Sequence, residues 1–200
     1  MKKKSICFVL LGCLAFAALA GCSIGEKNDV YSTLNQLAAK TPQSLALETS
    51  VTADGETLKG EYEVVAEEDG YRVTYSYEKL SLFTEEDGTY PLPEEYKQTV
   101  EGEMLVSDGK IVEQNGEAAD LSIEQITASG VRFSAPCFTD VEQAEGSFQA
   151  NVSDPSAFLQ EEFSCTGMTV EVTYGETISA MKISYTSQGG AQVVLEYTFS

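Results

Sequence analysis

The side chains best equipped for chemistry in this chain are carboxylates, gathered twice in one pattern: Glu67-Glu68-Asp69-Gly70 and Glu85-Glu86-Asp87-Gly88. Clustered oxygens suit calcium, and paired carboxylates are the machinery of glycoside hydrolysis. Both clusters, however, end in Asp-Gly, which marks tight turns. Turn carboxylates are usually solvated, and neither cluster has the spacing of an EF-hand loop. The near-repeat is read as two similar hairpins, and no metal is expected.

Composition removes most other chemistry. The 200 residues contain no His, which excludes Ser-His-Asp and Cys-His catalysis and His-ligated zinc. Cys137 and Cys165 are too far apart in sequence for a CxxC redox motif, and Gly189-Gly190 lacks the Lys-Ser or Lys-Thr of a phosphate loop. No catalytic residue and no cofactor are expected, so the chain reads as non-enzymatic. The aromatic stripe Tyr71, Val73, Tyr75 and Tyr77 has two readings. It packs a sheet on a helix, or it forms a ligand-facing wall, since Tyr joins apolar area to a polar tip. Tyr90-Pro91-Leu92-Pro93 is a stiff segment that suits a lid over that wall or a plain connection.

The chain start carries an address. Met1-Lys2-Lys3-Lys4 is basic, and Ser5 to Ala20 is an almost unbroken apolar run, too short for a comfortable membrane span. This is the pattern of a signal peptide. It ends in Leu19-Ala20-Gly21-Cys22, the lipobox of bacterial lipoproteins, in which the Cys22 thiol accepts the lipid after cleavage. The expected organisation is a signal peptide over 1–21, a tether over 22–29 and a single domain over 30–200. The location is the extracytoplasmic face of the cell membrane, held by the lipid anchor.

The chain has 12 basic and 32 acidic residues, a net charge of −20. Loss of the three signal lysines takes the remainder to about −23. Such a surface repels nucleic acid and anionic lipid headgroups and favours solubility, cations or a basic partner. Of five cysteines, Cys7 and Cys13 leave with the signal and Cys22 is lipidated. Cys137 and Cys165 remain as a disulfide candidate in an oxidising compartment, or as two separate thiols.

Asp29 is placed to cap a helix whose apolar face is Val30, Leu34, Leu37 and Ala38, and Thr41-Pro42 ends it. From Ser44 the period becomes two. Leu45, Leu47, Thr49 and Val51 share one face, and Met168, Val170, Val172 and Tyr174 another, as do Val193, Leu195, Tyr197 and Phe199. This alternation marks antiparallel strands with one wet face. Turn signals at Asp54-Gly55, Asp69-Gly70, Asp87-Gly88, Asp108-Gly109, Asn115-Gly116 and Gly189-Gly190 separate the runs. Ser122 with Gln125 forms a possible capping box before Ile126, and Asp154-Pro155 starts a helical turn through Leu159. The fold class is α+β: a curved, mostly antiparallel half-barrel packed on an N-terminal helix with short helical insertions.

This order resembles the LolA-like lipoprotein-carrier fold. The matching segments are Leu34 to Lys40 as opening helix, Leu45 to Thr52 as first strand, and Leu105-Val106-Ser107-Asp108-Gly109-Lys110 as a strand and turn. The ending is similar too: Thr169 to Tyr174, Met181 to Tyr185 and Val193 to Phe199. The resemblance implies a greasy ligand held between sheet and helix. The chain departs from the soluble carriers in lacking Trp and in carrying its own anchor. Anchored relatives include clostridial lipoproteins that partner a cell-wall amidase in spore germination. The expected function is therefore binding of an apolar or lipid ligand on the concave sheet face. The alternative is an acidic adaptor that docks an envelope protein such as a cell-wall hydrolase.

Overall fold

A computed structural model describes residues 30–40, 42–80 and 97–200. The signal segment, Cys22, the tether, Asp29, Thr41, the Glu85–Gly88 turn and the Tyr90–Pro93 segment lie outside the described residues. Among the described residues, no helix is long and apolar enough to cross a membrane.

Helix α1 covers residues 30–38. Val30, Leu34 and Leu37 are buried as their spacing requires, but Ala38 is exposed at the helix end. Ten strands follow: β1 (Ser44–Ala53), β2 (Glu56–Glu67), β3 (Gly70–Leu80), β4 (Lys97–Ser107), β5 (Lys110–Gly116), β6 (Phe138–Ala144), β7 (Ser147–Val152), β8 (Cys165–Tyr174), β9 (Ile178–Ser187) and β10 (Gln192–Phe199). They form one antiparallel sheet in the order β5-β4-β3-β2-β1-β10-β9-β8-β7-β6. Two five-stranded meanders are thus joined at the centre by the first and last strands, and the half-barrel stays unclosed.

Register follows the alternation. Leu45, Leu47, Thr49 and Val51 face Phe199, Tyr197, Leu195 and Val193 of β10, so the apolar sets of both strands lie on one face. A one-residue slip would turn every one of them to water. The turns use the residues expected of them. Asp54 and Gly55 have φ of +52° and +85°, and Asp108 and Gly109 +52° and +69°, values that suit the right-handed twist of the flanking strands. Asn115-Gly116 differs: it is the end of edge strand β5 and joins no hairpin.

This strand order sets a geometric problem. β5 and β6 are consecutive in sequence but stand at opposite edges, nine strand steps apart. At about 4.8 Å per step the connection must cross the sheet. Residues 117–137 do so, tied down on the concave face by tyrosines of β2, β3 and β10. This strap contains α2 (Ile123–Thr127) and a 3-10 turn (Ala135–Cys137). Ser122 caps α2 by the expected reciprocal pair with Gln125. After β7, Asp154 caps α3 (Pro155–Leu159) by accepting from the Ala157 N–H at 3.0 Å.

The expected disulfide is not formed: Cys137 and Cys165 are free. Cys137 leads into β6 and Cys165 opens β8, with β7 between them. Two strand steps separate them by roughly 9.5 Å or more, beyond the reach of a disulfide, about 7 Å between Cα atoms. Cys137 is buried against the Ser134 hydroxyl, and burial pushes the Cys165 thiol up.

Candidate functional site

The tyrosine stripe serves the strap. On β3, Tyr75 donates its hydroxyl to the Glu117 carbonyl, and Tyr77 donates to the Ala118 carbonyl at 2.7 Å. Tyr62 of β2 donates to the Asp120 carboxylate, and Tyr197 of β10 donates to the Gln125 carbonyl at 2.7 Å. Each ring buries its apolar body in the core while its hydroxyl satisfies a strap acceptor, which a Phe would leave unpaired. Burial pushes all four hydroxyls above the ordinary tyrosine value, and at Tyr62 the bonded Asp120 carboxylate adds to it. Val73 is fully buried. Of the four candidate ligand-facing residues, Tyr75 and Tyr77 are therefore bonded to the strap, Val73 is buried in the core, and Tyr71 lines the pocket between α1 and the sheet.

A second anchor holds the strap to α1. Asn35 donates from Nδ2 to the Phe133 carbonyl at 2.7 Å and accepts the Phe133 N–H on Oδ1 at 2.9 Å. Below it sits an aromatic cluster that the sequence reading did not single out. Tyr31 stacks on Phe138 at 5.8 Å between centroids, and Phe138 meets the edges of Phe148 and Phe158, both at 5.5 Å. Phe148 lies in β7, whose burial alternates, while Phe138 opens β6, where an irregularity between Thr139 and Glu142 breaks the alternation. Phe158 sits in α3, and Phe133 lies in an irregular stretch of the strap that carries no period.

Between the tyrosine-held and phenylalanine-held parts, the cover is incomplete. A pocket of about 440 Å³ lies at the end of the half-barrel where β1 begins and β10 ends. Its floor is apolar and built by the sheet: Leu45, Val64, Tyr71, Ile178, Met181 and Phe199. The C-terminal end of α1 forms one wall, and strap residues 127–133 form the other. Lys40 and Arg132 are exposed at the mouth. The size falls within the roughly 300–1,000 Å³ of small-molecule sites.

The acidic cluster at Glu67–Gly70 behaves as a turn. Glu67 pairs with Arg72 at 2.6 Å at the surface, and Glu68 and Asp69 are exposed. Among the described residues, no group of three or more Cys, Asp or Glu is arranged to hold a metal ion. The convex face carries a different acidic feature. Glu48 of β1 lies directly opposite Glu61 of β2 on one side and Glu196 of β10 on the other, all three exposed. Lys182 of β9 relieves only the outer one, by an ion pair to Glu196 at 2.6 Å.

No family model matches the chain, and no curated protein matches it. Among solved structures, the chain is similar to a DUF1329 family protein from Desulfovibrio piger ATCC 29098. The identity is 10%, covering 85% of this chain and 89% of that one, with a TM-score of 0.30. It is also similar to the dehydratase domain from the CurF module of curacin polyketide synthase, at 11% identity over 84% and 79% of the two chains, with a TM-score of 0.23. Both likenesses are too loose to carry a family or a function.

Proposed function

We propose that this chain is a non-enzymatic lipoprotein, anchored through Cys22 at the extracytoplasmic face of the cell membrane, that holds an apolar ligand between α1 and the concave sheet face. The observation that carries the reading is the apolar pocket left open at the end of the half-barrel, between α1, the strap and the sheet. An interior free to close would bury these side chains at about 25 cal/mol per Å². The lipobox Leu19-Ala20-Gly21-Cys22 supports the location. The curved sheet packed on a single opening helix supports the LolA-like reading of the fold. Lipid extraction of the protein purified from its native membrane tests the ligand. Co-extraction of a stoichiometric apolar molecule beyond the anchor is expected, and an empty interior would sink the proposal. Cys22→Ser tests the anchor: the variant should leave the membrane fraction, and undiminished membrane association would refute lipidation.

A second reading, an acidic adaptor for an envelope protein, is favoured by the Glu61–Glu48–Glu196 row. Like charges directly opposite across a sheet destabilise it, so a role in docking a basic surface would account for their retention. Affinity capture at rising ionic strength tests it, because exposed contacts of this kind weaken as salt screens them. Salt-insensitive capture would exclude the charged face as the docking surface.

A further inference from the structure

The pocket stands apart electrostatically from the rest of the molecule. The chain has 32 acidic residues and 12 basic ones, yet among the described residues no Asp or Glu side chain lines this pocket, while Lys40 and Arg132 both do. Arg72, Lys79, Lys97 and Lys182 are matched to carboxylates, and Lys59 and Lys110, which have no ion pair among the described residues, do not line the pocket. Among the described residues, Lys40 and Arg132 form no ion pair. Lys40 Nζ donates to a backbone carbonyl, that of Glu176, at 2.6 Å. Glu124 and Glu161 lie in a depression that shares Arg132, and neither comes within pairing distance.

Arg132 is also held in place. Its N–H donates to the Phe158 carbonyl at 2.8 Å, and the next residue is clamped to Asn35 from both sides. A fixed backbone and a free guanidinium at the rim of an apolar cavity form half of a recognition site. Guanidinium forks match phosphate and carboxylate oxygens, and an ammonium adds a point charge.

We infer that the ligand of this pocket is a single-chain lipid ending in a phosphate monoester, with its chain on the apolar floor and its head between Arg132 and Lys40. This rests on the reading of the pocket as an apolar ligand site. The phosphate follows from the donors: its three oxygens, carrying about −1.5 to −2 near neutral pH, can engage the guanidinium fork and the ammonium together, whereas a carboxylate's two oxygens are taken up by the fork alone. The acidic remainder of the surface repels such a head everywhere else, which directs it to this rim.

The test uses the protein carrying Cys22→Ser, so that its own acyl chains do not compete, with hexadecyl phosphate, palmitate and hexadecanol titrated below their aggregation thresholds. Hexadecyl phosphate should bind about tenfold or more tighter than hexadecanol, as two charge-assisted contacts require, with palmitate between them. Arg132→Gln with Lys40→Gln should bring hexadecyl phosphate down to the hexadecanol affinity and leave hexadecanol unchanged. Raised salt should narrow the gap in the parent and do nothing in the double variant. Equal binding of phosphate and alcohol would overturn the head-group inference while leaving the apolar site standing, and palmitate binding as tightly as the phosphate would overturn the phosphate assignment alone. Failure of all three to bind would overturn the site itself.

Discussion

Asn35 and Phe133 exchange two hydrogen bonds across 98 residues of sequence, at 2.7 and 2.9 Å, the side-chain amide of one meeting the backbone amide of the other. This pair locks the strap to α1 at the pocket wall. Without it the Phe133 N–H and carbonyl would sit partly buried with no partner, and a buried unmade hydrogen bond costs more than a made one contributes.

Asn35→Ala should therefore lower stability by about 2 kcal/mol, read as a shift of the urea midpoint at constant slope. Asn35→Asp keeps the acceptor, loses the donor, and should fall between. An unchanged midpoint in the Ala variant would mean that the strap is held by its tyrosines alone.

Gly102 of β4 lies directly opposite Tyr75, and a methyl group placed on it would overlap the Tyr75 ring. The glycine gives that ring room to reach the Glu117 carbonyl. Gly102→Ala should cost about 1–3 kcal/mol, the range for overpacking a core, and should loosen the strap. Hydrogen exchange at the Ile126 and Arg132 amides, which donate to the Ser122 and Phe158 carbonyls, measures this; protection equal to the parent would show that the ring moves aside without loosening the strap.

Alkaline pH should unfold the domain cooperatively. Tyr62, Tyr75, Tyr77 and Tyr197 all have folded values raised above the ordinary 10.0, chiefly by burial. A raised folded value contributes stability that is complete below the unfolded value and lost as pH climbs above it. Stability should thus hold to about pH 10 and fall beyond it, with phenolate absorbance of these rings rising together with the loss of circular dichroism. Full tyrosine titration near pH 10 with the dichroism intact would contradict the buried, strap-bonded hydroxyls.

Glu48 sits between two carboxylates on neighbouring strands, so relieving it should stabilise the sheet. Glu48→Gln is expected to raise stability by about 0.5 kcal/mol, and Glu48→Lys by more, within the range of cross-strand charge pairs. Thermal denaturation at low salt checks the sign. Destabilisation by Glu48→Lys would mean that the row is not under mutual repulsion.

What the sequence made legible was local. The alternation over Leu45–Val51 and Val193–Phe199, the Asp54-Gly55 and Asp108-Gly109 turns, the Ser122–Gln125 capping box and the Asp154 cap all depend on neighbours within a few residues, and all are present. The strap was not legible. Its four tyrosine bonds join residues 41 to 72 positions apart, and residues 117–120 show no period of their own. The same stripe of Tyr71, Val73, Tyr75 and Tyr77 can face a ligand or a covering segment. Only the placement of β5 and β6 at opposite edges decides it, because the chain must then cross the concave face. The Cys137–Cys165 pairing failed for a related reason: an even cysteine count carries no information about the strand between them. At the pocket, Lys40 and Arg132 stand 92 positions apart in sequence, and nothing short of the fold brings them to one rim.

The central claim is that the space between α1 and the sheet takes an apolar guest. The most direct measurement is native mass spectrometry of the Cys22→Ser protein with hexadecanol, beside Ala39→Trp and Ala66→Trp, which place an indole at the pocket edge from α1's end and from β2. The account predicts one bound molecule per chain in the parent and loss of binding in both folded tryptophan variants. No adduct in the parent, or adducts of equal strength in all three proteins, would contradict it.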